Sequence, residues 1–592
     1  MCYYIIYKRI EVEYMLGKII SIDGNVVKVE LTLDITNKTG LSNLHVAIEC
    51  QGKKIIGEII SIDLKYANIL LLGEIVNNNY ISGVNTKPSF ASTIRIITRE
   101  ELDIITDNVK ADYAVNFGRI PLYSNYPLNL NPDIYFSNHS AIVGNSGSGK
   151  SCSVARLFQN IFSTNIKPKS NIFIFDVFGE YHNALAGYNG IKYKSYTTDR
   201  NDTTNELVRI PIYLLDIEDL ALLLEAENFT QLPIIEKMLR VVTIFSKSEE
   251  EQLKCKNDII ARAIQEILYS GKTAAQIRDQ VIAILTSFAT KTLNTETKVV
   301  VPGWTRTLKQ CLQLDKEGKI SEIQLVSEFI GSFISSDIEL NLPEGKIYYT
   351  LENLYEALQL AFISEGTLKS DAIYEKVNSI KVRLKSIIDG EFGNYFKVGN
   401  YINKEQFVAS LNNNGENPIV NFNINSITDR QAKIIIKIVS KMLLESAFRI
   451  TPRGSRPIHI FIEEAHRYVQ NDLDINLLGY NIFEKIAKEG RKYGVILNLI
   501  TQRPSELSDT TLSQCSNYII FRLNNPTDIE YIRKIVPNVT DEMIGKIKSL
   551  QPGFALMFGS AFKIPITSKF DLPDPRPNSD NISIRNTWFG NN

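Results

Sequence analysis

Long apolar runs are missing from this 592-residue chain: no stretch approaches the ~18 to 20 residues that a membrane-spanning helix needs. A membrane partner is therefore not expected. The first residues, MCYYIIYKRIEVEYM, also lack the long apolar core and small-residue cleavage site of a secretory signal. Because Met15 directly precedes the first clean strand pattern, residues 1–14 read as a mis-called or disordered leader. Cysteine is scarce: Cys2, Cys50, Cys152, Cys255, Cys311 and Cys515 stand far apart, with no C-x-x-C pair to hold zinc. Such usage fits a reducing, cytoplasmic setting. His139, His182 and His466 do not make a metal set by spacing either. Nor does one sign of charge prevail, since 65 Lys+Arg against 66 Asp+Glu leaves a net of −1. That balance argues against a protein that coats nucleic acid by bulk charge, while allowing a local basic groove.

With 44% hydrophobic and 22% charged residues, the composition excludes a wholly disordered chain. The length predicts roughly three or four domains. From Leu16 to about Thr98, short alternating runs such as LGKIISI, NVVKVEL, HVAIEC and IIGEIISI are separated by Asp-Gly and Gly-containing turns. They predict antiparallel strands closing into a small N-terminal β-barrel over 15–105. Beyond a polar joint near 107–112 the apolar runs become continuous: SAIVG, NIFIFDV, NPIVNFNI, PIHIFIEE, GVILNLIT and NYIIFRL. Strands of this kind are covered on both faces, which predicts a mostly parallel α/β core over 106–204 and 416–562. The interval 205–415 is charge-rich and helical, so it reads as an inserted subdomain. Thr428 and Gln431 predict a capped helix start between the strands beginning at Asn417 and Pro457. The Pro- and Asn-rich stretch 563–592 reads as an extended C-terminal arm.

The sharpest motif is GNSGSGKS, with a strand before it and a helix after it. Gly144, Asn145, Ser146, Gly147, Ser148, Gly149, Lys150, Ser151 and Cys152 form a loop whose amides can curl around phosphate oxygens. Lys150 reaches the β/γ-phosphates and the Ser151 hydroxyl can hold Mg²⁺, which points to ATP and Mg²⁺ as cofactors. In FIEEAH an apolar strand ends in two acids. Glu463 is placed near the metal and Glu464 where it can polarise an attacking water, although two acids can also be the solvated end of a strand. Gln502, in TQRP, ends a strand beside this one and is placed to sense the γ-phosphate. Arg491 is a candidate arginine finger acting on a neighbouring subunit's ATP, or a salt-bridging surface arginine. Asp176, ending NIFIFD, points toward the crevice where α/β sheets bind ligands, or caps a turn.

Taken together, the barrel, GNSGSGKS, FDVFGEY, FIEEAH and EGRKYGVILNLITQRPSELS resemble HerA, of the HerA/FtsK group of hexameric ATPases. The resemblance implies a RecA-like P-loop fold and six motors in a ring around double-stranded DNA, braced by C-terminal arms that lap over the next subunit. It carries motor roles to Lys150, Ser151, Glu463, Glu464, Arg491 and Gln502. Some relatives have a basic residue before the histidine that precedes the P-loop strand; here Asn138 precedes His139. The middle matches poorly. The resemblance further implies an effector in trans, a nuclease or a sirtuin-like NADase, and a role in antiphage defence or DNA-end processing. The alternative is an ATP-regulated ring scaffold that activates its effector without translocation. A small-molecule kinase is disfavoured by TQRP and the barrel.

Overall fold

The computed structural model describes residues 15–32, 34–36, 40–50, 52–164, 166, 168–364, 371–472, 474–536, 540–579 and 584–589. The leader reading of residues 1–14 lies outside them. Two compact units emerge, the larger formed by the N-terminal region up to Leu207, Val408–Asp472 and the chain from Asn481 onward.

In the larger unit the alternating runs form β1 (Gly17–Asp23), β2 (Val26–Leu31), β3 (His45–Cys50), β4 (Lys53–Ile62), β5 (Tyr66–Val76), β6 (Asn79–Ser82) and β7 (Thr93–Ile96). The antiparallel order is β1-β2-β5-β4-β3-β7, with β6 pairing off β5. An antiparallel bridge from Met15 to Arg95, beside a 2.7 Å bond from the Leu16 amide to the Ile94 carbonyl, joins the two ends of this order. The two ends of the sheet thereby meet just before β1 begins, as in a barrel that closes on itself. Alternation puts Val27, Val29, Val46, Ile48, Ile56, Ile69 and Ile94 inside. The helix α1 (Arg99–Thr106) starts on a Thr98–Glu101 capping box. The Glu101 carboxylate also accepts from buried Arg95 at 2.7 and 2.8 Å, fastening α1 to β7.

The continuous apolar runs build the second sheet. Its strands are β8 (Val115–Ile120), β9 (Tyr126–Leu130), β10 (Ser140–Val143), β11 (Asn171–Asp176), β12 (Tyr193–Thr197) and β13 (Glu206–Leu207). After a hairpin, β14 (Lys298–Val301) and β15 (Trp304–Thr307), in the other unit, come β16 (Ile419–Asn423), β17 (Ile458–Ile462), β18 (Val495–Thr501), β19 (Asn517–Ile520), β20 (Phe554–Gly559) and β21 (Phe562–Lys569). The order is β13-β12-β16-β11-β17-β18-β10-β19-β20-β21-β8-β9, parallel from β13 to β19 and antiparallel beyond. Helices α2 (Lys150–Phe162), α3 (Tyr181–Ala186), α4 (Asp429–Phe448) and α5 (Ile482–Glu489) belong to this unit. Thr428 and Gln431 form the capping box of α4. Phe158 of α2 meets Phe461 of β17 edge-on, with ring centroids 4.9 Å apart. Such a pair adds about 0.5–1.5 kcal/mol beyond area burial and fixes the helix over the acid-bearing strand.

Two expected boundaries shift. The arm expected from Lys563 begins later, because residues 562–569 are β21, with Phe562, Ile564, Ile566 and Ser568 buried in alternation. Pro565 obscured this strand in the sequence; it lies where the register with β20 slips between Met557 and Gly559, and irregular pairing is where a strand tolerates proline. Residues 571–579 then run along α2 and α3 of their own chain. The helical insertion, expected over 205–415, ends at Phe407. Residues beyond it join the sheet unit, where the Leu411 carbonyl accepts from Tyr196 of β12 at 3.3 Å.

The smaller unit, Val208–Phe407, is built mainly from helices including Leu232–Val242, Glu249–Leu268 and Leu351–Ser364. A second excursion of the chain that ends at Tyr480 also belongs to it, and Tyr480 donates to Glu218. Among the described residues, no helix is long and apolar enough to cross a membrane.

Candidate nucleotide site

Strand β10 is wholly buried between β18 and β19, so its carboxyl end is a fixed platform for the loop that follows. The Gly144 amide donates to the Thr501 carbonyl at 3.1 Å, and the Asn145 amide to the Arg522 carbonyl at 2.9 Å, tying the loop to both neighbours. Gly149 opens α2 at φ +99°, and a Cβ there would stand 2.8 Å from the Gly553 nitrogen. Only glycine meets both demands. Lys150 Nζ donates to the Gly144 and Asn145 carbonyls at 2.7 and 3.0 Å. Burial lowers its pKa, against the pull of Glu464, Glu463 and Glu180.

The acids come from two strand ends beside the loop. Glu463 follows β17 and is 4% exposed, and Tyr181 Oη donates to its Oε1 at 2.8 Å. Burial, reinforced by the charges of Asp176 and Glu180, pushes its carboxyl well above the usual carboxylate range. Glu464 adopts φ +44°, ψ +43°, in the left-handed region. For a side chain of this size that conformation is strained, and such strain clusters where side-chain aim matters. Gln502, just after β18, donates from Nε2 to Glu464 Oε1 at 3.2 Å. His466 Nδ1 stands 3.2 Å from Glu464 Oε2, but its hydrogen bond runs to Thr501 Oγ1 at 3.1 Å. Burial lowers the His466 pKa, outweighing the opposing pull of Glu464.

Asp176 does cap a turn. Fully buried at the end of β11, it accepts from the Glu180 and Tyr181 amides at 3.0 Å each and from Asn421 Nδ2 at 3.2 Å. The turn it folds presents Glu180, which the sequence spacing does not single out; burial raises its carboxyl above the usual range, with the Ser151 hydroxyl pulling the other way. The signal was present as the acid after glycine in FDVFGEY, but nothing in its spacing distinguishes an acid that faces a P-loop from one that faces water.

Glu180 Oε2, Glu463 Oε2 and Glu464 Oε2 are all buried without a hydrogen-bond partner. Carboxylate oxygens left this way favour a cation or ordered water, so the donor set fits Mg²⁺. Among the described residues, no three His, Cys, Asp or Glu side chains converge closely enough to hold a metal by themselves. Mg²⁺ needs no such cage, since it retains waters and takes few protein ligands alongside phosphate oxygens. Ser151 and Glu463, the predicted metal residues, together with Glu180, are the groups that would hold it.

Arg491 is not with them. It lies exposed in the turn Gly490–Tyr493, in a basic recess of about 480 Å³ lined by Asn138, His139, Lys488, Lys492 and Gln514. His139 and Asn138 precede β10 whereas the P-loop follows it, so Arg491 and Lys150 stand at opposite ends of one strand. Among the described residues no carboxylate pairs with Arg491. Buried His139, whose Nδ1 accepts from the Leu497 amide at 2.9 Å, is held at a pKa of about 4 by burial, with the Arg491 charge adding to the effect.

Residues 115–338 match the family model described as the central domain of helicase HerA. The matched span runs well into the helical unit, so the expectation that the middle of the chain matches poorly holds only beyond residue 338. The chain is 30% identical over 202 residues to the probable helicase MJ1565 of Methanocaldococcus jannaschii, covering 33% of this chain and 39% of that protein. It is 27% identical over 267 residues to the DNA double-strand break repair helicase HerA of Sulfolobus acidocaldarius, covering 43% and 50% respectively. The chain thus spans half or less of the length of these two relatives. Among solved structures, the plasmid coupling protein TrwB in complex with ADP and Mg²⁺ aligns over 81% of this chain and 93% of its own, at 11% identity and a TM-score of 0.44. With its P-loop strand flanked by parallel neighbours and its acid strand one place removed, the chain carries a P-loop nucleotide site on a parallel α/β sheet, in a region similar to the central domain of helicase HerA.

Proposed function

We propose that this protein hydrolyses ATP to move along double-stranded DNA as a homo-hexameric ring. The observation that carries the reading is the division of the site. Lys150, Ser151, Glu463, Glu464 and Gln502 converge, while Arg491 stands exposed at the far end of β10. A guanidinium so placed serves a nucleotide only when another copy of the chain brings it there. Hydrolysis then requires assembly, which is the logic of a ring motor. The backbone amides of the P-loop hold the phosphates, Lys150 offsets charge on the β/γ-phosphates, and Glu464, oriented by Gln502, polarises the attacking water. Ser151, Glu463 and Glu180 would hold Mg²⁺, which would supply positive charge against the charge developing on the phosphates.

The near-neutral total charge leaves DNA contacts to a local basic lining, and those contacts carry a strong salt dependence without base preference. The sequence holds no nuclease or NADase constellation, so we assign the downstream chemistry to an effector in trans, of the nuclease or sirtuin-like class, in the cytoplasm. Antiphage defence or DNA-end processing is the setting this combination suits.

Duplex DNA is expected to stimulate ATP turnover several-fold, with the stimulation fading between 50 and 200 mM salt by roughly the steep power law of phosphate contacts. An assay with and without duplex checks it, and turnover indifferent to DNA would favour a ring scaffold instead. Arg491→Ala should lower turnover by about 10³- to 10⁵-fold, the usual worth of a finger in trans. Mixed with a Lys150→Ala chain it should recover activity, because some interfaces then pair an intact P-loop with an intact arginine. A salt-bridging surface arginine would leave the single variant near full activity.

A further inference from the structure

The segment after β21 is seated on the nucleotide-site elements of its own chain by a receptor built to read its backbone. Gln159 of α2 is fully buried, and both ends of its amide are used. Its Oε1 accepts from the Asp574 amide at 3.0 Å, and its Nε2 donates to the Pro575 carbonyl at 2.9 Å and to the Ala184 carbonyl at 3.2 Å. Asn183 Nδ2, on α3, donates to the Arg576 carbonyl at 2.9 Å. Pro573 and Pro577 are buried. Gly187, at the end of α3, leaves room for the Pro575 ring, since a Cβ there would stand 2.9 Å from Pro575 Cγ.

The last steps of the segment reach the site itself. The Asn578 amide donates to the Glu180 carbonyl at 2.8 Å, fixing the turn that carries the acid beside Ser151. One residue on, Ser579 Oγ lies 3.8 Å from Cys152 Sγ, within hydrogen-bonding range for sulfur. Along a P-loop the lysine serves the β- and γ-phosphates, so the residue after the serine lies toward the α-phosphate and the nucleoside.

From this placement we infer that Asn578 and Ser579, held there by the seat of residues 573–577, form the nucleoside-side wall of the ATP site in their own chain. The ligand part they meet is the ribose and base, not the phosphates. The inference rests on the P-loop reading, and its test separates the two. Lifting the segment removes contacts to the nucleoside and leaves the phosphate cradle in place.

Two full-length variants lift it independently. Gly187→Val fills the seat of Pro575; its φ of −83° is one any residue adopts, and the new Cβ would stand 2.9 Å from Pro575 Cγ and 3.0 Å from the Asn183 carbonyl oxygen. Asn578→Pro deletes the amide that bonds to Glu180, at an exposed position. Binding of ATP and of inorganic tripolyphosphate is measured by calorimetry for both variants and the parent, with melting temperature as the check on folding. Expected is an approximately 10-fold weaker Kd for ATP, about 1.4 kcal/mol, with tripolyphosphate affinity unchanged within twofold. Unchanged ATP affinity in both variants overturns the inference. Equal weakening for both ligands also overturns it, showing a segment that only supports the loop. A parent chain that binds neither ligand would overturn the P-loop reading as well.

Discussion

Lys150→Ala is expected to cut ATP turnover by about 10²- to 10³-fold or more, since a P-loop lysine is the residue that reaches the β/γ-phosphates. That factor corresponds to about 2.7–4 kcal/mol of lost transition-state stabilisation. The fold should tolerate the change. Among the described residues Lys150 bonds to the Gly144 and Asn145 carbonyls, and its ammonium is held at a desolvation cost that the substitution removes. The opposing effect is that Glu464, Glu463 and Glu180 lose a cation that offsets their repulsion. A melting temperature within a few degrees of the parent, with turnover lost, is the expected pair of results. A large fall in melting temperature would make Lys150 a structural residue and remove the catalytic argument.

Glu464→Gln separates binding from chemistry. The amide retains the size of the side chain and a partner for Gln502, but it cannot accept a proton from the attacking water. Loss of a general base costs typically 10²- to 10⁴-fold, so turnover should fall by about that factor while ATP binding stays within a few-fold. Glu464→Gly supplies a second readout. Its φ of +44° strains a glutamate at a cost on the order of 1–3 kcal/mol, and glycine adopts such a conformation freely. The glycine variant should therefore melt higher than the parent and hydrolyse no ATP. If it instead melts lower, the left-handed turn is held for packing rather than for aiming the carboxylate.

Much of this site was legible because its parts are local. A P-loop is a contiguous loop whose glycines and lysine act through backbone geometry that eight residues encode, and FIEEAH declares a buried strand that ends in acid. Gln502 was legible for the same reason, being the second residue past the apolar run of β18. Glu180 was not, because its role depends on Asp176 folding the turn and on α2 bringing Ser151 beside it. Arg491 was ambiguous in the sequence between finger and surface salt bridge. Among the described residues the fold gives it no carboxylate partner, and it puts β10 between Arg491 and the P-loop, which is geometry that no spacing rule contains.

The barrel and the parallel sheet could be read from period-two alternation and from continuous apolar runs, since burial on one face or two imprints directly on hydrophobic pattern. The boundaries could not. The arm expected from Lys563 gave way to β21, whose register slip accommodates Pro565, and the helical residues before Asn417 looked part of the insertion although Leu411 bonds to Tyr196 of the sheet. What the sequence determined alone was the absence of long apolar runs and of cysteine pairs, the P-loop, the acid pair and the class of sheet, because each is written in neighbouring residues or in periodicity. What only tertiary structure decided was the third acid, the separation of Arg491 from the P-loop and the seat of the C-terminal segment on Gln159. Those depend on elements far apart in the chain or turned back on themselves meeting at strand ends and helix faces, where pairing order and packing, not local propensity, set the neighbours.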